Sequence, residues 1–154
     1  MNNSDFDKYY HYHASVQSTE FEAEFLIKTF LEIRGSLPKS IREDFCGTYA
    51  LSCELAKMKE FQSILPELKI YGVDIDPEPL EYGKKHYFSE LTEEQKQVIT
   101  IKEENVLTGQ LPKAQLAFAF NFSYFIFKER AILKEYFQNF FNSLESDGVL
   151  VLDC

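Results

Sequence analysis

The sequence predicts an α/β fold, a doubly wound and mostly parallel sheet of about five strands, and three observations carry that prediction. Short β-type runs alternate with stretches of helical periodicity, the order produced by right-handed βαβ units. A chain of 154 residues, 45% of them hydrophobic, suits one domain around one core. Four predicted strand ends (residues 43–48, 74–76, 105–106 and 121–124) carry small or polar residues, and doubly wound sheets collect their ligands at such ends.

Residues 1–18 are polar and aromatic, with Tyr9, Tyr10, His11, Tyr12 and His13 in succession, and read as an extended N-terminal arm. Thr19 and Glu22 have capping-box spacing and open a helix whose Phe21, Phe25, Phe30 and Leu31 can share one face. Gly35 and Pro38 close it. Residues 40–44 are placed as the first strand by their position, directly before a Gly turn and a helix. Their composition argues otherwise: Arg42, Glu43 and Asp44 are charged, and buried parallel strands usually read as Val, Ile and Leu. A second helix is expected over 49–61 and a strand over 69–74. Asp76 caps a third helix that has Pro77 in its first turn and ends near residue 86.

Thr92 and Gln95 form another capping box at a short helix, and strands are expected over 98–102 and 116–120. From Glu129 on, Ile132, Leu133, Tyr136, Phe137, Phe140, Phe141 and Leu144 recur at helical spacing and predict a helix packed on the sheet. A last strand starts at Gly148 and runs through Leu152. Residues 19–154 thus form one Rossmann-like domain behind the arm.

Composition narrows the partners. Twenty-five acidic against sixteen basic residues give a net charge of −9, which opposes a polyanionic substrate such as DNA or RNA. The cluster Lys84, Lys85 and His86 reads as a solvated helix face. Three cysteines without repeating spacing do not make a disulfide framework and fit reduced thiols in a cytoplasm. The N-terminus lacks the apolar core of a signal peptide, and no apolar run nears the ~18 residues a membrane span needs. A soluble cytoplasmic protein is expected.

Each candidate site residue has a chemical reason. Gly47, with Thr48 next to it, lets the backbone approach a ligand and aims helix N–H groups at it. Asp74 offers a carboxylate that can accept two hydrogen bonds from ribose hydroxyls. Asn105 can present an amide to an adenine edge. Cys46 is either a reactive thiol at a helix N-terminus or a packing residue. His11 and His13 supply two imidazoles without the third or fourth ligand that a metal site needs, so no metal is expected.

As a set, these segments resemble the class I S-adenosylmethionine-dependent methyltransferases from about Tyr9 to the last residue. Glu43-Asp44-Phe45-Cys46-Gly47-Thr48 is similar to the first glycine-rich motif, with Glu43 at its acidic position. Tyr71-Gly72-Val73-Asp74-Ile75-Asp76 is similar to the second, in which the carboxylate holds the ribose. Glu104-Asn105-Val106 stands where the family often has Gly-Asp-Ala beside the adenine. Asn121-Phe122-Ser123-Tyr124 falls at the fourth motif, near the transferring methyl.

The resemblance implies a cofactor site of Tyr12, Gln17, Glu43, Phe45, Cys46, Gly47, Thr48, Asp74, Ile75, Asn105, Val106, Asn121 and Phe122. Tyr12 and Gln17 would fold over the cofactor. The implied cofactor is S-adenosylmethionine, with S-adenosylhomocysteine as product and a small molecule as methyl acceptor. Tyr12 and Tyr124 are candidates for a general base by position alone, and Phe122 and Tyr124 for pocket walls.

Three departures from the family pattern stand out. Phe45 and Tyr49 occupy the first and third glycine positions of the first motif. Asn105 replaces the usual Asp. The chain also stops at the end of the fifth predicted strand, where the family fold continues with a helix and an antiparallel pair. That edge calls for cover, by further chain or by a second copy in a homodimer. Two rival readings remain open: a noncatalytic S-adenosylmethionine-binding fragment, and a nicotinamide-dependent oxidoreductase, which would want Gly-x-Gly-x-x-Gly where this turn has Gly47 alone.

Overall fold

The computed structural model describes residues 7–9, 11 and 18–153. Tyr12 and Gln17 lie outside them. Five strands form one all-parallel sheet in the order β3-β2-β1-β4-β5: β1 Ser40–Asp44, β2 Lys69–Asp74, β3 Ile99–Glu103, β4 Ala114–Ala119 and β5 Leu144–Leu152. The chain builds outward from β1 to β3, then returns to add β4 and β5 on the other side. The order therefore reverses beside β1, which makes the carboxyl ends of β1 and β4 the switch point.

Helices α1 (Thr19–Arg34), α2 (Ala50–Lys57), α3 (Pro77–His86) and α4 (Glu93–Val98) contribute to one core layer. It is built on Leu26, Ile27, Phe30, Leu51, Leu55, Leu80 and Val98 against Ile41, Ile70, Leu116 and Phe118 of the sheet. Helix α5 (Arg130–Asn142) covers the opposite face, with Tyr136 and Phe140 packed with Val73 and Ala117.

The charged first strand is real, and each of its five residues is buried. Alternation sends Glu43 toward α2 and sends Arg42 and Asp44 toward α5. Arg42 bonds to Asp44 Oδ1 at 2.8 Å and donates to the Pro112 carbonyl at 2.7 Å and to Ser143 Oγ at 2.8 Å. Its guanidinium lies 4.7 Å from the centre of the Phe140 ring, and the Tyr136 hydroxyl donates to Asp44 Oδ2 at 3.2 Å. The charges thus pair beneath the sheet, with one guanidinium nitrogen of Arg42 left without a hydrogen-bond partner, an arrangement that residue-by-residue propensity cannot register.

Several element boundaries differ from the sequence reading. Thr19 and Glu22 form no capping box; Ser18 is the N-cap, through its backbone carbonyl. The second helix stops at Lys57, and residues 59–61 are a separate 3-10 turn. Leu144, which has helical spacing with Phe140 and Phe141, instead opens β5 by pairing with Ala114. An irregularity then resets the register before Val149 meets Leu116. The Thr92–Gln95 capping box and the Asp76 cap form as expected.

The start of the chain is not simply extended. Residues 8, 9 and 11 are helical, and this stretch rests on α3, where the Tyr82 hydroxyl donates to Asp7 Oδ2 at 2.7 Å. The Tyr9 ring lies 4.7 Å from that of Tyr82, which stacks on His86 at 4.1 Å. Lys84 and Lys85 are exposed, as expected of a solvated face. Among the described residues no helix is long and apolar enough to cross a membrane.

Candidate functional site

The loop from β1 to α2 turns on alternate residues. Phe45, Gly47 and Tyr49 all have left-handed backbone, at φ of 58°, 52° and 43°. These are the positions at which the resemblance expects the three glycines of the first motif. Such a path normally favours glycine, so Phe45 and Tyr49 are strained and need outside support. Phe45 has it from the rings of Tyr136 and Phe127, at 5.7 and 5.9 Å. Tyr49 is buried, 3% exposed, with its ring edge-on to Phe88.

Two contacts fix the loop against β2. The Cys46 amide donates to the Val73 carbonyl at 3.0 Å, and the Gly47 amide donates to Asp74 Oδ2 at 2.7 Å. The other carboxylate oxygen of Asp74 accepts from the Asp76 amide at 2.9 Å. Helix α3 presses against the same loop because Gly83 has no side chain: a Cβ there would stand 2.0 Å from the Thr48 carbonyl oxygen. Ile75, next to Asp74, is 64% exposed and offers an apolar wall at the rim.

Glu43 lies under the loop. Its Oε2 accepts from the Ser52 hydroxyl at 2.6 Å and from the Ser52 amide at 3.2 Å, in the first turn of α2. Burial pushes its pKa up to about 8 against the opposing pull of those two bonds, and the charges of Glu22 and Asp74 add to the rise. Cys46 is buried, and burial raises its thiol well above the ordinary range. Both features suit a packing residue better than a nucleophile.

The other predicted residues occupy the neighbouring strand ends. After β3, the Glu104 amide donates to the Asp74 carbonyl at 2.9 Å, which ties that loop to the same rim. Asn105 is exposed and spends Oδ1 on its own turn, accepting from the Leu107 amide at 2.9 Å; Val106 beside it is buried. After β4, Asn121 and Phe122 are both left-handed, at φ of 59° and 53°, and Phe122 is half exposed. Tyr124 is not a pocket wall. It is buried, and its hydroxyl donates to the Asp153 carbonyl at 2.9 Å.

The fold thus brings Glu43, residues 45–48, Asp74, Ile75, Asn105, Val106, Asn121 and Phe122 to one edge of the sheet, around the switch point. Two carboxylates there went unrecognised in the sequence. Glu22, read as a capping partner, has one buried oxygen without a hydrogen-bond partner, and burial with the nearby Asp153 charge pushes its pKa up to about 7. Asp153 accepts from the amides of both Asn121 and Phe122. The strand-end logic that selected Asp74 would have selected Asp153 as well. Among the described residues, no three His, Cys, Asp or Glu side chains come together as a metal site.

No protein-family model matches the sequence, and no curated protein does. Solved structures do match. An amino pentose methyltransferase from Micromonospora echinaspora, solved with S-adenosylmethionine bound, aligns at a TM-score of 0.73 and 16% identity over 99% of this chain and 58% of its own. A sugar N-methyltransferase from a Streptoalloteichus species aligns at 0.72 and 19% identity, over 99% of this chain and 56% of its own. The glycopeptide N-methyltransferase MtfA, complexed with S-adenosylmethionine, aligns at 0.66 and 14%, over 90% of this chain and 54% of its own. The fold is that of the S-adenosylmethionine-dependent methyltransferases, and the chain spans little more than half the length of these structures.

Proposed function

We propose that this chain binds S-adenosylmethionine across the carboxyl ends of β1 and β2 and serves methyl transfer to a small-molecule acceptor. The observation that carries the reading is the loop itself. All three positions that the resemblance assigns to glycine have left-handed backbone, and the amide of the central one is held by Asp74, the residue expected at the ribose. A turn that preserves its path at the expense of two strained residues has a use for that path.

The donors and acceptors fit the parts of the cofactor. An ionised carboxylate has about four lone-pair directions, so Asp74 can accept from ribose hydroxyls while keeping its two backbone bonds. Exposed Ile75 would flank the adenine, with Asn105 and Val106 beyond it; Asn105 would use its amide nitrogen, since Oδ1 is taken. Phe45, Cys46, Gly47 and Thr48 would line the methionine end, and Glu43 would attract its ammonium group. A cation there favours the ionised carboxylate, so uptake below about pH 8 should release a proton. Tyr12 and Gln17 would cover the ligand, as the resemblance implies. Asn121 and Phe122 would face the reacting centre.

Bound S-adenosylmethionine supplies an electrophilic methyl group on a sulfonium, open to in-line displacement. The protein's part is to hold both reactants at attack distance, where restricted motion alone lowers the barrier substantially. No residue is assigned as general base. The acidic surface, with net charge −9, favours a small acceptor over a nucleic acid. We place the protein in the cytoplasm, with a second copy covering the β5 edge.

Native mass spectrometry of the purified protein, and then incubation with methyl-labelled S-adenosylmethionine and a panel of small amines, alcohols and acids, tests the reading. Carried-over cofactor and a labelled product support it; binding without transfer to any acceptor favours a noncatalytic module. Cofactor uptake seen only as quenched NADH fluorescence favours an oxidoreductase instead.

A further inference from the structure

We infer that Asp153 is a positioning residue for the acceptor-side loop, an inference that rests on the proposed cofactor site. Two successive left-handed residues, Asn121 and Phe122, turn two backbone N–H groups the same way and away from any helix or strand partner. One carboxylate takes both. Asp153 Oδ2 accepts from the Asn121 amide at 2.7 Å, and Oδ1 accepts from the Phe122 amide at 3.0 Å. The backbone carbonyl of Asp153 accepts the Tyr124 hydroxyl at 2.9 Å, which secures the same loop from within.

Register explains why this residue can reach. Leu152 pairs with Ala119, so Asp153 stands level with Phe120, one step before the turn. A phenylalanine at φ of 53° persists only where its surroundings over-determine it, and the carboxylate supplies that constraint. The loop borders the switch point, where the methyl group would be delivered. Asp153 therefore sets the direction of Asn121 and Phe122 without itself touching the reactants.

The test compares two ligands that differ where the methyl group sits. Sinefungin carries an amine there, and S-adenosylhomocysteine carries nothing. In Asp153→Asn, of nearly the same shape, one acceptor is lost and an NH2 group meets a backbone N–H. We expect sinefungin to bind roughly fivefold or more weakly, about the worth of one hydrogen bond, while S-adenosylhomocysteine stays within about twofold. Faster amide exchange at Asn121 and Phe122 should accompany the change, and Asp153→Glu should recover part of the sinefungin affinity.

Equal losses for both ligands would assign Asp153 a merely structural role and overturn the inference. Unchanged affinities for both would do the same. Wild-type protein that takes up neither ligand would overturn the cofactor reading and this inference together, whereas the first two outcomes leave that reading standing.

Discussion

Ser52 donates both its hydroxyl and its backbone amide to one oxygen of Glu43, at 2.6 and 3.2 Å, in a buried site at the end of β1. Burial nevertheless prevails, and the Glu43 pKa rises to about 8 from 4.5. The folded state therefore holds a proton that the unfolded chain has released, and stability falls as pH rises from 4.5 to about 8. Glu43→Gln keeps an acceptor for Ser52 and removes this proton linkage. Urea denaturation across that range should show a flatter profile for the variant and greater stability at pH 8. Glu22, pushed up to about 7, leaves a slope of the same sign over a narrower range, from 4.5 to about 7.

Arg42 and Asp44 are both fully buried, and they are bonded to each other at 2.8 Å. Removing one partner strands a charge, which typically costs about 3–5 kcal/mol. Arg42→Met should destabilise by that order. Arg42→Met combined with Asp44→Leu should cost clearly less than the sum of the single changes. Denaturant midpoints of the four proteins in the cycle measure the coupling.

At Phe45 the usual ranking of small residues should invert. Alanine keeps a Cβ at φ of 58° without the ring packing on Tyr136 and Phe127, whereas glycine removes the strain. Phe45→Gly should therefore unfold at higher urea concentration than Phe45→Ala, by about 1 kcal/mol, with both below wild type.

Cys46 and Cys53 are buried, and burial lifts the Cys53 thiol up to about 12 and that of Cys46 well above its ordinary value. Neither should react with iodoacetamide in the folded protein at pH 8, and both should react in denaturant. Peptide mapping after alkylation reads the two sites separately. Rapid native labelling of Cys46 would contradict its place as a packing residue.

Most elements were legible in the sequence because local signals agreed with the fold: the Asp76 cap, the Thr92–Gln95 box and the apolar stripe of α5. Strand β1 was the hard case, since Arg42, Glu43 and Asp44 look like loop residues until Ser143, Tyr136 and Ser52 arrive from distant parts of the chain. Leu144 misled for a related reason: its helical spacing is genuine, but pairing with Ala114 decides its structure. The rim residues Gly47 and Asp74 could be named from motif order. The contact between them, the left-handed backbone at Phe45 and Tyr49, and the hold of Asp153 on Asn121 and Phe122 needed three dimensions.

The central claim is that Asp74 and the Gly47 turn form a cofactor site, and a thermal-shift titration with S-adenosylhomocysteine tests it most directly. Ligand at a hundred times its dissociation constant stabilises by about 2.7 kcal/mol, or roughly 5–10 °C for a domain of this size. Wild-type protein should show a shift of that order, and Asp74→Ala, folded but without the carboxylate, should show none. No shift in the wild type, or an equal shift in the variant, would contradict the account.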